Sequence, residues 1–374
     1  MKPIRVLQVA GKMRSGGAEA MIMNIYRNID DKYVQFDFVS FDEEEGYYDK
    51  EIKKLGGRIF YIPSPEKIGV LQFISNLVRL LKKEGPFDIV HAHTLYNIGL
   101  VLLAARLAGI KKRIAHSHST KASVKQNLLH KIYQVIMGKL INLNATEFIA
   151  CGTEAGEFLY GKSKFKKRGK VLPNAIDVFP YLNKENLESE NLYREHKIRE
   201  NTFIMGQVGT LNEIKNHDFT ISICKRMKEK GIEFRMLFVG DGELNNVLRK
   251  RVDQEGLQNQ IIFLGLRADI PNLMNLFDVL IMPSIFEGLP VTLIEAQAAG
   301  TPCVVSNVIT IEADLGLGLI KYMDLNVGVD RWIDELQKMR NNKLKNSDEI
   351  MLAFEQKEYD IKSNIENLMR VYHI

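Results

Sequence analysis

Cysteine is scarce in this chain. Cys151, Cys224 and Cys303 are the only three in 374 residues. They are too few and too far apart for a disulfide framework or a zinc site, and a reduced, cytoplasmic setting is expected. Long apolar runs are also missing. The longest, Ile98–Ile110, is broken by Arg106 and falls short of the roughly 20 residues a bilayer-spanning helix needs. The opening run Met1–Ala10 carries Arg5 inside it and reads as a strand, not as a secretory leader. Neither G-x-G-x-x-G nor a Walker loop occurs, which disfavours a nicotinamide oxidoreductase. Low-complexity segments and short repeats are absent. No zinc-finger or RNA-binding signature and no interleaved aromatic platform is present, so a nucleic-acid partner is not expected.

Acidic residues are unevenly absent. None lies between Lys111 and Thr146, where seven Lys or Arg residues fall, nor between Phe158 and Ile176, where six more fall. The net charge is only +5, so this is a matter of distribution. Such a face is either a pair of solvated basic helices or a surface for an anionic membrane or acidic acceptor. With 45% apolar and 26% charged residues, the chain has an ordinary globular composition, and its length suits two or three domains.

Short β-rich runs alternate with helical stretches throughout. Strands are expected at Ile4–Val9, Phe36–Phe41, Arg58–Ile62, Asp88–Ala92, Arg113–His116, Glu147–Cys151 and Lys170–Leu172. A second set is expected at Phe203–Val208, Glu233–Val239, Gln260–Leu264, Asp278–Met282, Pro302–Ser306 and Leu319–Tyr322. Helices lie between them, as at Ala18–Asn28, Val70–Lys83 and Ser123–Leu143. This alternation predicts an α/β class with two doubly wound, Rossmann-like domains and a cleft between them where ligands bind at strand carboxyl ends. The polar stretch Tyr181–Asn201 is the expected connection.

The segment Pro283–Pro302 is the most informative. It follows an apolar strand and joins Glu287, a Gly288-Leu289-Pro290 turn and a helix carrying Glu295. Pro290 is expected at the first helical position, where its missing N–H is no loss. The amides beside it would receive an anion such as a diphosphate, and carboxylates suit neutral hydroxyls. Other candidates also follow strands. Gly16-Gly17 opens a helix with paired glycines. Lys215 could reach a phosphate as a point charge. Gly240-Asp241-Gly242 and Gly265-Leu266-Arg267 are further strand-to-helix turns. The pairs His91-Ala-His93 and His116-Ser-His118 close two strands, where imidazoles could handle protons. No third ligand is expected nearby to complete a metal site.

The set Gly16-Gly17-Ala18-Glu19, His118, Pro173–Asp177, Val208-Gly209, Lys215-Asn216, Gly240–Glu243, Glu287 and Glu295 resembles the retaining glycosyltransferases of family four, with the GT-B fold. The resemblance spans nearly the whole chain. Its second half, notably Phe263–Pro271, is similar to enzymes of bacterial exopolysaccharide and capsule assembly. The family implies an N-terminal acceptor-side domain, residues 1–185, with a final helix, 357–374, packed back on it. It also implies a C-terminal nucleotide-sugar domain, 198–356.

The implied catalytic residues are His118, Glu287 and Lys215. The implied donor-binding residues are Gly16, Gly17, Gly209, Thr210, Lys215, Asp241, Leu266, Arg267, Gly288, Leu289, Val291, Thr292 and Glu295. No metal or other cofactor is implied beyond the nucleotide-sugar co-substrate, with UDP favoured over GDP. The acceptor would be a saccharide or lipid-linked saccharide. The setting would be cytoplasmic, with peripheral contact at the inner face of the plasma membrane. One position departs from the pattern. Thr210 stands where the family commonly has Arg, and a hydroxyl grips phosphate less firmly than a bidentate guanidinium. Lys215 and the helix after Gly288 would then carry the phosphate, with Arg14 as a further candidate. A nucleotide-sugar epimerase of the same fold and a non-catalytic sugar-binding protein are the alternatives.

Overall fold

The computed structural model describes the chain except residues 1, 12, 14, 15, 42, 43, 121–127, 184–193, 195–197 and 200. Arg14, most of the connection Tyr181–Asn201 and the first residues of the helix expected at Ser123–Leu143 therefore lie outside the described residues.

The chain forms two compact units. One comprises Met1–Ala175 with Ile361–Ile374, the other Ile176–Asp360. The sequence-based boundary at 185 falls later because Tyr181 belongs with the second unit. The side-chain amide of Asn275 donates to its carbonyl at 2.7 Å, and its hydroxyl donates to Glu295 at 2.9 Å.

In the first unit seven strands form one parallel sheet. They are β1 (Ile4–Val9), β2 (Val34–Ser40), β3 (Ile59–Tyr61), β4 (Ile89–Ala92), β5 (Lys112–Ser117), β6 (Glu147–Ala150) and β7 (Gly169–Val171). Their order is β3-β2-β1-β4-β5-β6-β7. The second unit has β8 (Phe203–Val208), β9 (Phe234–Val239), β10 (Ile261–Gly265), β11 (Val279–Met282), β12 (Cys303–Ser306) and β13 (Ile320–Met323). These are again all parallel, in the order β10-β9-β8-β11-β12-β13.

Both faces of such a sheet are covered by helices, so its strands read as continuous apolar runs. Val6, Leu7 and Val9 of β1 and Phe203, Ile204 and Met205 of β8 are all buried. Each such side chain contributes about 1.5–3 kcal/mol. The helix Val329–Met339 turns Trp332, Ile333, Leu336 and Met339 onto the second core, at helical spacing. The helix Ile361–Tyr372 buries Ile361, Asn364, Leu368, Val371 and Tyr372. All but Asn364 join the core of the first unit. The Asn364 side-chain amide donates to the Pro173 carbonyl at 2.9 Å.

The first sheet also carries a buried charge. Asp37, fully buried on β2, accepts from the Arg5 Nε at 3.0 Å and from the Arg58 backbone, Nε and Nη2 at 3.0, 3.2 and 3.1 Å. Burial alone pushes this carboxyl up. The hydrogen bonds from Arg58 and Arg5 outweigh it and hold the group below its ordinary value. A depressed folded value means the contribution to stability is present above the unfolded carboxylate range. It is lost as pH falls through the folded value. Asp37→Asn leaves two guanidinium groups facing a neutral amide. The variant is expected to lose about 2–3 kcal/mol, less than for a fully buried pair because both arginines are partly exposed. In urea, its midpoint should drop at an unchanged slope, and the difference from wild type should shrink below about pH 4.

Candidate active site

In the second unit β11 pairs with β8 on the side away from β9. The crossovers after β8 and β11 thus diverge at this point, and doubly wound sheets bind ligands at the strand ends there. The loop after β8 and the loop after β11 meet at this switch. The Ile285 amide donates to the Ile214 carbonyl at 2.9 Å, and the Asn216 side chain donates to the Pro283 carbonyl at 3.0 Å. Glycine makes a second close approach possible, between the loops after β8 and β9. Gly240 has φ +134°, and a Cβ there would come 2.1 Å from the Gly209 carbonyl oxygen. Gly209 itself has φ +147° and lies against the stem of Lys215.

Lys215 is held at several points. Its amide donates to Asn212 Oδ1 at 3.1 Å, and its carbonyl accepts from Gln207 Nε2 at 2.7 Å. Its ammonium donates to Glu287 Oε1 at 2.5 Å, with side-chain exposures of only 18% and 12% for Lys215 and Glu287. Ser284 Oγ donates to the same carboxylate oxygen at 2.8 Å. Two charges this far from water lose hydration, and their mutual attraction must repay it. The pair is a preformed cation–anion couple at the ligand-binding end of the sheet.

The helix Val291–Ala298 begins beside it. Pro290, expected at the first helical position, is instead the residue before the helix, in an extended conformation with ψ 112°. No side chain caps this helix, so its leading amides face the region of Gly288 and Leu289 without a capping oxygen. Leu289 and Val291 are buried. Thr292 follows in the first turn. Glu295 is half-buried, and burial pushes its carboxyl up while the hydrogen bond from Tyr181 opposes this.

The remaining donor candidates of this unit have local roles. Asp241 Oδ1 accepts from the Gly242 amide at 2.8 Å and Asn245 Nδ2 at 2.7 Å, which fixes its own turn. Arg267 makes a two-point pair with Asp269 at 2.7 and 2.6 Å. Leu266 and Thr210 are exposed. In the first unit Gly16 precedes the helix Gly17–Asn28 in an extended conformation and closes its first turn through its carbonyl.

Sequence reasoning passed over Ser284 and Gln207. Gln207 is buried and holds both the Lys215 carbonyl and Thr220 Oγ1, the latter at 2.7 Å. Its signal was a single amide inside the otherwise apolar β8. The same signal occurs at Gln8 in β1, and it too went unread.

Gln8 stands at the corresponding switch of the first unit, between β1 and β4. Its side chain bonds His93 Nε2 at 2.9 Å and Tyr372 Oη at 3.2 Å. His93 Nδ1 faces His118 Nε2 at 2.8 Å. His91 Nδ1 faces Tyr372 Oη at 3.0 Å, and its Nε2 faces His116 Nδ1 at 3.1 Å. All four imidazoles are held below their ordinary value by burial, His91 and His118 to about 3. Ligand atoms of His91, His93 and His116 lie within 4.8 Å of one another, so the third imidazole that the sequence did not lead one to expect is present. Yet the close nitrogens face one another nearly in line, with ring centroids 5.2 and 5.1 Å apart for the two bonded pairs. A tetrahedral zinc, about 2.0–2.1 Å from each imidazole, would have the two lone pairs converging on it at about 109° and not opposed in line. The arrangement is one of ring-to-ring hydrogen bonds.

Comparison with known proteins places these features in a family. The model "Glycosyltransferase Family 4" matches residues 15–178, and "Glycosyl transferases group 1" matches residues 188–315. A protein of Bacillus subtilis (strain 168) named as a glycosyltransferase, EpsF, is 39% identical over 372 residues, 99% of this chain and 96% of the relative. An Escherichia coli UDP-Gal:alpha-D-GlcNAc-diphosphoundecaprenol alpha-1,3-galactosyltransferase is 32% identical over 296 residues, 73% of this chain and 72% of the relative. Among solved structures, HepE of Anabaena in complex with UDP superposes with a TM-score of 0.75 at 19% identity, covering 99% of both chains. WaaG, a glycosyltransferase involved in lipopolysaccharide biosynthesis, does so at 0.72 and 15%, covering 98% of both. Two matched family models, an end-to-end relative and two doubly wound parallel sheets agree: the chain belongs to the family-four glycosyltransferases, enzymes of the GT-B fold.

Proposed function

We propose that this glycosyltransferase moves a sugar, with retention, from a UDP-sugar to a saccharide or lipid-linked saccharide in surface polysaccharide assembly. The Lys215–Glu287 pair carries this reading. At rest the ammonium is neutralised by the carboxylate. A diphosphate brings more negative charge than Glu287 and competes for Lys215. The released carboxylate is then free to accept hydrogen bonds from sugar hydroxyls. Lys215 and the leading amides of Gly288, Leu289, Val291 and Thr292 stabilise charge growing on the leaving phosphate as the sugar becomes cation-like. Glu295 serves the ribose, and Gly265–Arg267 offers backbone to the base. Retention follows from same-face attack, in which the departing phosphate takes the acceptor's proton. The reading uses no resident metal.

Several relatives support the substrate classes. HepE was solved with UDP and with UDP-glucose. The E. coli relative is named for a UDP-Gal donor and a diphosphoundecaprenol acceptor, and a Staphylococcus aureus relative, 25% identical over 309 residues, for capsular polysaccharide biosynthesis.

A lipid-linked acceptor requires the enzyme to work at a membrane surface. Among the described residues no helix is long and apolar enough to cross one. The helix Leu128–Asn144 instead exposes Leu128, Leu129, Ile132, Val135 and Ile136 along one stripe, Leu129 at 76%. Lys131 and Lys139 are exposed on the same helix, and it carries no acid. An apolar stripe edged by lysines suits the headgroup region of an anionic leaflet, and this supports the reading of peripheral contact at the inner face of the plasma membrane.

Three experiments test these readings. Glu287→Gln is expected to lower kcat about 100-fold, measured below a melting temperature that also falls because Lys215 is left facing a neutral amide. Lys215→Ala is expected to weaken UDP binding in calorimetry about 10- to 100-fold, the worth of one charge-assisted contact. Unaltered turnover in the first variant or unaltered affinity in the second removes that residue from the site. In flotation with vesicles, binding should be stronger to anionic than to neutral lipid and should weaken with salt. The double variant Leu129→Glu, Ile136→Glu is expected to lose binding roughly tenfold or more, since two apolar side chains are worth at least ~1.5 kcal/mol. Equal flotation of variant and wild type rejects the surface.

A further inference from the structure

We infer that Tyr181 is a positioning residue of the nucleotide site: it anchors the Glu295 carboxylate through a neutral hydroxyl, where a cation would block it, and so leaves it open to ribose hydroxyls. This rests on the role at the ribose proposed for Glu295. Tyr181 lies on the short helix Phe179–Leu182, close after the second unit begins at Ile176. That helix packs on the helices Ile270–Leu276 and Val291–Ala298 of the same unit. Tyr181 is 7% exposed. Its backbone is tied to the first of these helices, where the Asn275 side-chain amide donates to its carbonyl at 2.7 Å. Its hydroxyl reaches the second, donating to Glu295 Oε1 at 2.9 Å. Both ends of the residue are thus fixed within the second unit.

A phenol donates to a carboxylate, and a carboxylate has about four lone-pair sites. Tyr181 takes one of them. Among the described residues the Glu295 carboxylate makes no ion pair and accepts no other hydrogen bond. Most of its accepting capacity is therefore unused. Burial pushes the group up, and the Tyr181 bond is what opposes this. A carboxylate drawn out of water with one neutral donor and no cation is unfavourable for the fold alone. Hydroxyls of a ligand would supply the missing donors. A tyrosine that only needed an acceptor for its own hydroxyl could use a backbone carbonyl, as Tyr26, Tyr160 and Tyr359 do with Leu55, Ile149 and Glu312.

Glu287 shows the contrasting arrangement. Its carboxylate is matched with the Lys215 ammonium at 2.5 Å, and charge-assisted bonds are the stronger kind. A diphosphate is charged and can compete for that lysine. A ribose hydroxyl is neutral and cannot separate such a pair. An acid that binds ribose is therefore served by a neutral anchor, which fixes its orientation and leaves its charge uncompensated. Tyr181 gives Glu295 that anchor.

The test is calorimetric binding of UDP and of its 2′,3′-dideoxy counterpart to wild type, Tyr181→Phe, Glu295→Ala and the double variant. Tyr181→Phe removes one oxygen and keeps the ring. It is expected to weaken UDP about five- to tenfold and to leave the dideoxy nucleotide within about twofold of wild type. Glu295→Ala should weaken UDP further, and adding Tyr181→Phe to it should change nothing more, since both act through one carboxylate. A merely structural role would weaken both nucleotides alike and would add in the double variant. Either of those results, or unaltered UDP affinity in Tyr181→Phe where Glu295→Ala loses it, overturns the inference and leaves the ribose assignment standing. Tyr181→Lys, of similar reach, tests the neutral anchor and decides alone if Tyr181→Phe does not fold. It restores a donor but pairs the carboxylate, so UDP should bind at least about fivefold more weakly than to wild type. Wild-type affinity for UDP in that variant overturns the inference. Unaltered UDP binding in Glu295→Ala, or no preference of wild type for UDP over the dideoxy nucleotide, faults the ribose assignment itself, and the anchor role of Tyr181 falls with it.

Discussion

Parallel strands cannot be joined by tight turns, so every connection in both sheets must cross over through a helix or a long loop. When the order turns back on itself, as between β8 and β11 and between β1 and β4, two successive crossovers leave on opposite faces. The loops that begin there are held apart at their far ends and close together at the strand ends. Side chains from strands distant in sequence meet at that point. Lys215 and Glu287, 72 residues apart, owe their contact to this constraint, as do Gln8 and His93, 85 residues apart.

In both units the meeting point is organised by a glutamine in the fifth position of the first strand. Gln8 lies in Ile4–Val9 and Gln207 in Phe203–Val208. An amide suits the place because it both donates and accepts, so it can join two partners of opposite character within an apolar sheet. Gln207 joins a backbone carbonyl to a threonine hydroxyl. Gln8 joins a tyrosine to a histidine. The two units share a scaffold yet offer different surfaces, one charged and one made of neutral rings.

Strand positions were legible because each buried strand is a predominantly apolar run with few polar interruptions. Ile4–Val9 and Phe203–Val208 agree at both ends, and the others differ by a residue or two, some where pairing extends further, as at Val34, which pairs with Ile4, and more where the strand is shorter than expected, as at Ile59–Tyr61. The Glu287–Glu295 segment was legible from its turn and helix start. Partnerships were not. Nothing local says that Lys215 is neutralised by Glu287, that Asp241 and Arg267 are engaged within their own loops, or that two His-x-His pairs interlock through a tyrosine from residue 372. Those facts depend on which strands become neighbours, and adjacency of β1, β4 and β5 is a property of the whole sheet. Pro290 shows the same limit locally. Its fixed φ suits both the first helical position and the residue before it, and only the extended ψ distinguishes them.

The helix Ile361–Tyr372 completes the interior of the first unit with Leu368, Val371 and Tyr372, and its final tyrosine anchors the glutamine and histidine network. On the ribosome those residues are made after all of the second unit. The first sheet must therefore wait, with part of its apolar face uncovered, while 185 residues from Ile176 to Asp360 are synthesised. The later-made unit is continuous in sequence and can finish first. Order of synthesis and order of completion run in opposite directions in this chain, and the histidine array acquires its last partner only after the whole second unit has been made.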